Sequence, residues 1–183
     1  SNAASAACYS GTLGAAEEAA LNGIPAIGVS LDTLSPDADF SAVVKYFPDI
    51  FRKLISDYPT ERGIYYNVNF PNIPAAEIKG IRVGHQGLGR WIREFRDWDP
   101  SVYSKHKLTP EMLGQSSVPV CEEGEKLYMM VGDFLDDEAN NSRSDHWIMR
   151  EGYISIVPNN LDATDYAEKS RLESAGFDTD FAK

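Results

Sequence analysis

The hydrophobic and polar positions in the amino-terminal part of the chain predict helices and strands in alternation. The alanine-rich run over residues 15–21 favours a helix, which Gly23 would end and Pro25 could not continue. The apolar, β-prone residues 24–31 that follow are typical of a buried strand. A loop, a helix and a strand therefore follow one another directly.

The next segment carries apolar residues at the 3.6-residue spacing of an amphipathic helix. These residues are Phe40, Val43, Val44, Phe47, Ile50, Phe51, Leu54 and Ile55. Asp39 is placed to cap this helix, and Pro48 predicts a kink or a fresh start inside it. Residues 64–70 then predict a second strand and residues 79–83 a third. Such alternation predicts an α/β layered fold with a mainly parallel sheet.

Beyond residue 83 the pattern predicts strands without long helices between them. Residues 91–98 and 127–131 are predicted strands, and residues 99–126 between them resemble an elaborated loop or insertion. We interpret this half as antiparallel β arms with exposed aromatic side chains, which more often mark an oligomer interface than a ligand site. The acidic run 133–138 predicts a solvated loop, because it lacks the ligand spacing and glycine of an EF-hand.

The carboxy-terminal part predicts one more strand and a terminal helix. The strand covers residues 153–157 and would be ended by Pro158. The helix extends to residue 175, with Asp162 or Thr164 as its cap.

These elements divide the chain into an α/β core over residues 4–83 and an arm region over residues 84–183. The insertion at about 99–126 lies in the arm region. Residues 1–3, Ser-Asn-Ala, are interpreted as a remnant of tag removal.

The composition is that of a globular protein, with 43% hydrophobic and 25% charged residues among 183. A formal net charge of −11 argues against binding to a nucleic-acid polymer. We expect no membrane association, because no apolar run of about 18 residues occurs. No signal-peptide pattern begins the chain. Cys8 and Cys121 fit no metal motif, and we interpret them as structural thiols in a reducing compartment, which predicts a cytoplasmic location.

The candidate for chemistry is the turn Ser10-Gly11-Thr12 at the start of the first helix. It offers two hydroxyls and backbone N–H groups without intrahelical partners, a combination that suits an anion. The simpler alternative is that Ser10 and Thr12 only cap the helix. Asn67 and Asn69 alternate with apolar residues in the second strand and are predicted to face either solvent or a cleft. The three histidines show no ligand spacing, so no metal site is predicted.

Six short motifs occur in order: YSGTLGAA from residue 9, GIPAIGVSL from 23, NVNFPN from 67, KGIR from 79, EGYISIVP from 151 and LDAT from 161. Together they resemble the survival protein SurE family over about residues 9–164, whereas residues 97–126 match poorly. The resemblance implies a Rossmann-like core and a carboxy-terminal arm that swaps to build homo-oligomers.

The same resemblance implies a metal-dependent phosphatase of nucleoside monophosphates, a 5′/3′-nucleotidase with acid-phosphatase character. In this family an Asp pair, a serine and an asparagine upstream of the YSGT motif hold a divalent metal, Mg²⁺ or Mn²⁺. None of them lies in this chain, so we expect no metal here and an inactive fragment. Ser10, Gly11 and Thr12 are then expected to bind the phosphate, with Ser10 and Thr12 in catalytic roles.

Two other interpretations stay open. The chain could be an oligomerisation module without catalysis of its own, or an unrelated α/β binding domain. If the sheet neighbours of strand 24–31 lie outside the chain, its edge is uncovered. Self-association or rearrangement would then be expected, because apolar surface left in water forgoes stabilisation.

Overall fold

Five α-helices and eight strands form the regular structure of residues 1–33, 35 and 37–180, the residues described by this computed structural model. The helices are α1 (Gly11–Leu21), α2 (Ser41–Ser56), α3 (Ser101–His106), α4 (Asp145–Arg150) and α5 (Tyr166–Ser174). The strands are β1 (Ile27–Leu31), β2 (Ile64–Phe70), β3 (Gly80–Val83), β4 (Gly89–Ile92), β5 (Phe95–Asp97), β6 (Tyr128–Met130), β7 (Asp133–Asp136) and β8 (Tyr153–Asn160). Short 3₁₀ helices cover Ala4–Tyr9, Ala75–Glu77 and Glu111–Leu113.

The main sheet has four strands in the order β1-β2-β8-β3. β1 pairs with β2 in parallel, with Ile27 opposite Tyr66 and Leu31 opposite Phe70. β3 and β8 are also parallel, and only the central β2–β8 pair is antiparallel. The prediction of an α/β fold with a mainly parallel sheet is confirmed.

One face of this sheet is apolar, and the helix α2 packs against it. Because side chains alternate along a strand, every second residue of β1, β2 and β8 reaches this face. The fully or largely buried members of the cluster are Leu31, Ile50, Val68, Phe70, Ile154 and Ile156. Of these, Ile50 belongs to α2. The opposite face carries polar side chains, which form part of the candidate site.

The helix α2 runs without interruption from Ser41 to Ser56 with Pro48 inside it, so no fresh start occurs at the proline. Pro48 has no backbone N–H, so the carbonyl of Val44 loses its donor within the helix. Because Val44 is exposed, water can hydrogen-bond to that carbonyl instead. The residue at the cap position is Phe40, so the prediction of Asp39 as the cap is wrong. Asp39 lies one residue earlier, and its carboxylate accepts the N–H of Ser41, the first helical residue, at 2.8 Å.

Residues 89–137 form a compact unit of their own. It contains two antiparallel ribbons, β4 with β7 and β5 with β6, which confirms the predicted antiparallel arms. The single strand predicted over 91–98 is divided at Arg93, whose φ is 54°. The acidic run was wrongly predicted as a loop, since Asp133–Asp136 is the strand β7. Phe134 in β7 packs edge-on against Trp91, with ring centroids 5.6 Å apart.

The strand β8 continues through Pro158 to Asn160, so the predicted end at the proline is wrong. Pro158 lies opposite Tyr66. The N–H of Tyr66 points away from β8 and donates to the carbonyl of Ala26, which precedes β1. The pair is therefore a non-hydrogen-bonded one, and the proline nitrogen faces away from β2. β3 pairs with β8 only as far as Ile156, so the missing N–H costs no ladder hydrogen bond.

The terminal helix α5 is capped neither by Asp162 nor by Thr164. Asp165 is its cap, and its Oδ1 accepts the N–H groups of Ala167 and Glu168, both at 3.0 Å. None of the helices in the described part of the chain is both long and apolar enough to cross a lipid bilayer.

Candidate functional site

The predicted anion-binding turn forms the first turn of α1. The hydroxyl oxygen of Ser10 accepts the N–H of Leu13 at 3.0 Å, so Ser10 is a true helix cap. Gly11 and Thr12 follow it and are exposed. Their backbone N–H groups belong to the first turn, which has no intrahelical acceptors for them. The turn therefore combines a capping residue, Ser10, with two N–H groups, those of Gly11 and Thr12, that have no acceptor within the helix.

A glycine in β1 lets this first turn lie close to the sheet. A β-carbon at Gly28 would lie 2.6 Å from Cδ2 of Leu13 and 3.6 Å from Cγ2 of Thr12. Further along α1, Ala20 packs in one cluster with Ala26, which precedes β1. The helix therefore runs antiparallel to the strand, and its amino-terminal end points toward the carboxyl end of β1.

The carboxyl ends of β1 and β2 lie side by side, with Leu31 opposite Phe70. In open α/β sheets, ligands bind beyond the carboxyl ends of the parallel strands, where helix N-termini converge. The positive end of the α1 dipole and its free N–H groups are therefore placed where such sheets bind anions. Ser10 and Thr12 add hydroxyl groups to this turn.

Two buried asparagines of β2 lie on the same face of the sheet as Gly28. The sequence predicted that Asn67 and Asn69 face solvent or a cleft. That prediction is wrong, because both side chains are almost completely inaccessible. The backbone of Asn2 covers them: its N–H donates to Oδ1 of Asn69 at 2.9 Å, and its carbonyl accepts from Nδ2 of Asn67 at 2.7 Å. The Asn2 side chain also donates to the hydroxyl of Ser30 in β1.

Asp145 is a buried polar residue that the sequence analysis did not single out. It begins α4, and its two carboxylate oxygens accept three backbone N–H groups. Ala4 donates to Oδ2 at 2.9 Å, while Gly87 and His146 donate to Oδ1 at 3.0 and 2.8 Å. Two of these donors are distant in sequence, so no local pattern could have revealed the role.

Tyr65 of β2 donates its hydroxyl hydrogen to the carboxylate of Glu17, a residue of α1, at 2.7 Å. Burial, together with this negatively charged acceptor, raises the pKa of Tyr65 well above its usual range. The Tyr65 hydroxyl therefore stays protonated and donates to Glu17, which links β2 to α1.

The residues around the α1 start do not fit the divalent metal that the family resemblance implies. Nowhere in the described ranges do three or more His, Cys, Asp or Glu side chains come close enough to hold a metal ion. The turn Ser10-Gly11-Thr12 itself presents two hydroxyls and backbone N–H groups and no carboxylate, and N–H donors at a helix start suit an anion. Cys8 and Cys121 are both exposed and free, so they form no disulfide with each other.

The family is decided by comparison with known sequences. The sequence model of the family described as "Survival protein SurE" matches residues 1–93, just over half of the 183 residues. The chain belongs to the SurE family. The resemblance carried by the six motifs is thereby confirmed. The SurE match includes residues 1–3, whose interpretation as a remnant of tag removal stays a prediction.

Curated relatives of this SurE chain carry the name 5′-nucleotidase SurE. The protein of Bacteroides fragilis is 33% identical over 177 residues, which cover 94% of this chain and 58% of the relative. That of Phocaeicola vulgatus is 32% identical over 166 residues, covering 91% and 55%. The crystal structure of the SurE protein from Aquifex aeolicus superposes with a TM-score of 0.69 at 25% identity. The alignment covers 96% of this chain and 61% of the Aquifex chain. The chain thus spans little more than half the length of these relatives.

Proposed function

We propose that this SurE chain supplies the phosphate-binding part of a nucleotidase acting on nucleoside monophosphates. The observation that carries the proposal is the position of the α1 amino terminus, which points toward the carboxyl ends of β1 and β2. Its relatives' name, 5′-nucleotidase, supports a phosphate monoester as the ligand. Ser10, Gly11 and Thr12 are the residues to which we assign phosphate binding.

Each of these residues has a definite group to offer. Ser10 uses a lone pair for the cap, which leaves its O–H free to donate to a phosphoryl oxygen. Thr12 adds an exposed hydroxyl, and the backbone N–H groups of Gly11 and Thr12 add two more donors. Such fixed donors stabilise the negative charge on the phosphoryl oxygens during transfer. This is the sense in which Ser10 and Thr12 are proposed to be catalytic.

By the family resemblance, the metal chemistry with Mg²⁺ or Mn²⁺ depends on ligands upstream of the YSGT motif, which we expect to lie outside this chain. A divalent ion would supply charge neutralisation and an activated water in a complete site. No step of that kind can be derived from the donors in the described part of the chain. We therefore propose that the chain binds phosphate but does not hydrolyse nucleotides by itself.

Titration of the ¹⁵N-labelled chain with inorganic phosphate tests the binding site. The amide signals of Gly11 and Thr12 are expected to shift most, because these N–H groups have no acceptor within α1, whereas that of Gly14 donates to the carbonyl of Ser10 at 2.9 Å. Thr12→Ala should raise the Kd by about tenfold, the effect of losing one hydrogen bond to a charged group. Thr164→Ala, at an exposed threonine before α5, is the matched control and should leave the Kd unchanged. Shifts without preference for the α1 turn, or an unchanged Kd in Thr12→Ala, would contradict the assignment.

A second function, homo-oligomerisation through the arm, is favoured by the ribbon of β5 and β6. Phe95 and Met130 lie directly opposite each other and are 68% and 77% exposed. Exposed apolar pairs of this kind are typical of surfaces that associate. We therefore propose that the 89–137 unit mediates assembly of identical chains.

Sedimentation velocity tests this proposal. The chain is expected to form dimers or larger assemblies at micromolar concentrations, and the double variant Phe95→Glu, Met130→Glu should shift it to monomer. Val44→Glu, an exposed apolar residue on α2, is the control and should leave the association unchanged. A wild-type chain that stays monomeric at high concentration would exclude the arm as an association surface.

A further inference from the structure

The carboxamides of Asn67 and Asn69 hold the peptide backbone of Asn2 in the manner of a neighbouring strand. One accepts the Asn2 N–H and the other donates to the Asn2 carbonyl, at 2.9 and 2.7 Å. Nδ2 of Asn69 also donates to Oδ1 of Asn67 at 2.7 Å, which fixes which end of each amide is oxygen. We call this pair the asparagine clamp. The clamp binds the backbone N–H and carbonyl of Asn2, so these two hydrogen bonds do not depend on the side chain at position 2.

A second attachment follows two residues later. The N–H of Ala4 donates to the buried carboxylate of Asp145, and Ala4 has the unusual φ of 50°. From there the 3₁₀ helix Ala4–Tyr9 leads directly to Ser10, with Ala7 buried against the α1 cluster. The segment between the clamp and the anion turn is therefore attached through the backbone of Asn2 and Ala4 and is buried at Ala7.

The clamp and the anion turn also lie over the same strand. Asn2 contacts Ser30, whereas Thr12 lies next to Gly28, two residues earlier on the same face of β1. A displacement of the clamped segment would thus move the chain immediately beside the first turn of α1.

We propose that Asn67 and Asn69 are positioning residues for the phosphate turn Ser10-Gly11-Thr12. This inference rests on the proposed phosphate-binding function. Asparagine suits the role because one carboxamide can accept from an N–H and donate to a neighbouring oxygen at the same time. The energetic reason for burying two such side chains is that every hydrogen-bonding end named here has a partner.

The test compares phosphate binding by Asn69→Leu and by wild type, again through the amide shifts of Gly11 and Thr12. Leucine has the same branching as asparagine, though a larger volume, and it removes every hydrogen bond of the Asn69 carboxamide, to the Asn2 N–H, to the Asn2 carbonyl and to Asn67. If only about a tenth of the molecules then hold the turn in its binding conformation, the Kd for inorganic phosphate rises about tenfold. A general loss of stability would not change the Kd of molecules that remain folded, so this readout separates positioning from mere support.

Ser155→Ala is the matched control. Ser155 lies opposite Asn69 in β8, is fully buried, and its hydroxyl has no hydrogen-bond partner in the described part of the chain. Its removal alters the same buried layer without touching the clamp and should leave the Kd unchanged. If Asn69→Leu does not fold, Asn67→Ala, which removes the donor to the Asn2 carbonyl, gives the same test.

The possible outcomes separate the two proposals. Wild type and Ser155→Ala binding phosphate alike, with at least about tenfold weaker binding by the clamp variants, would support the positioning role. A folded clamp variant with unchanged Kd would overturn the positioning role and leave the phosphate site intact. A wild-type chain that shows no phosphate-dependent shifts would overturn the phosphate site itself and the positioning role with it.

Discussion

Replacing Phe70 by alanine is expected to remove about 3–5 kcal/mol from the free energy of unfolding. Phe70 is completely buried, at 0% exposure, in the cluster between the main sheet and α2. The loss combines the transfer of the ring to water with the cavity that it leaves. Since domains are stable by about 5–15 kcal/mol, the variant should unfold at much lower denaturant concentration or fail to accumulate.

Urea unfolding followed by circular dichroism measures this loss. Phe51→Ala is the matched control, because Phe51 lies on α2 at 44% exposure and its truncation should cost less than about 1 kcal/mol. Equal midpoints for Phe70→Ala and wild type would contradict the assignment of the core to this face of the sheet.

Asp145→Ala is expected to cost about 3 kcal/mol or more, through a different mechanism. The variant would leave the N–H groups of Ala4, Gly87 and His146 without their carboxylate acceptor. Buried donors that lose their acceptor pay the full penalty of desolvation, and bonds to charged groups are the stronger ones. The loss should appear as a lower midpoint of unfolding and as faster hydrogen exchange at the Ala4 amide.

Two further variants bracket this result. Asp145→Asn keeps one acceptor oxygen in place and should lose roughly half as much stability. Asp178→Ala, at an exposed aspartate, should stay within about 0.5 kcal/mol of wild type. If Asp145→Ala unfolds at the same denaturant concentration as Asp178→Ala, the three hydrogen bonds do not contribute to stability.

Local patterns were sufficient to predict the framework of the main sheet. The strand Ile64–Phe70 was predicted with its observed limits, because its β-branched and aromatic residues lie between clear loop signals. The helix around Ile50 was recognised from its apolar spacing, since one of its faces is buried against the sheet. The family followed from motifs, which need no knowledge of the fold.

Features that depend on distant parts of the chain were not predictable. Asn67 and Asn69 are buried because Asn2, more than sixty residues earlier, lies over them. Asp145 receives an N–H from Ala4 across an even longer separation. The strand at Asp133–Asp136 is not predicted, because an acidic composition favours a solvated loop. The contact of Phe134 with Trp91 that accompanies the strand is visible only in the structure.

Pro158 has a consequence for the refolding of this chain. Its nitrogen faces the side of β8 where β3 has already ended, so at this one position β8 has no N–H to donate to an added strand. A strand mispaired there during refolding would gain fewer bonds than one laid along a complete edge. We therefore expect Pro158 to disfavour a shifted register in which β3 pairs further along β8.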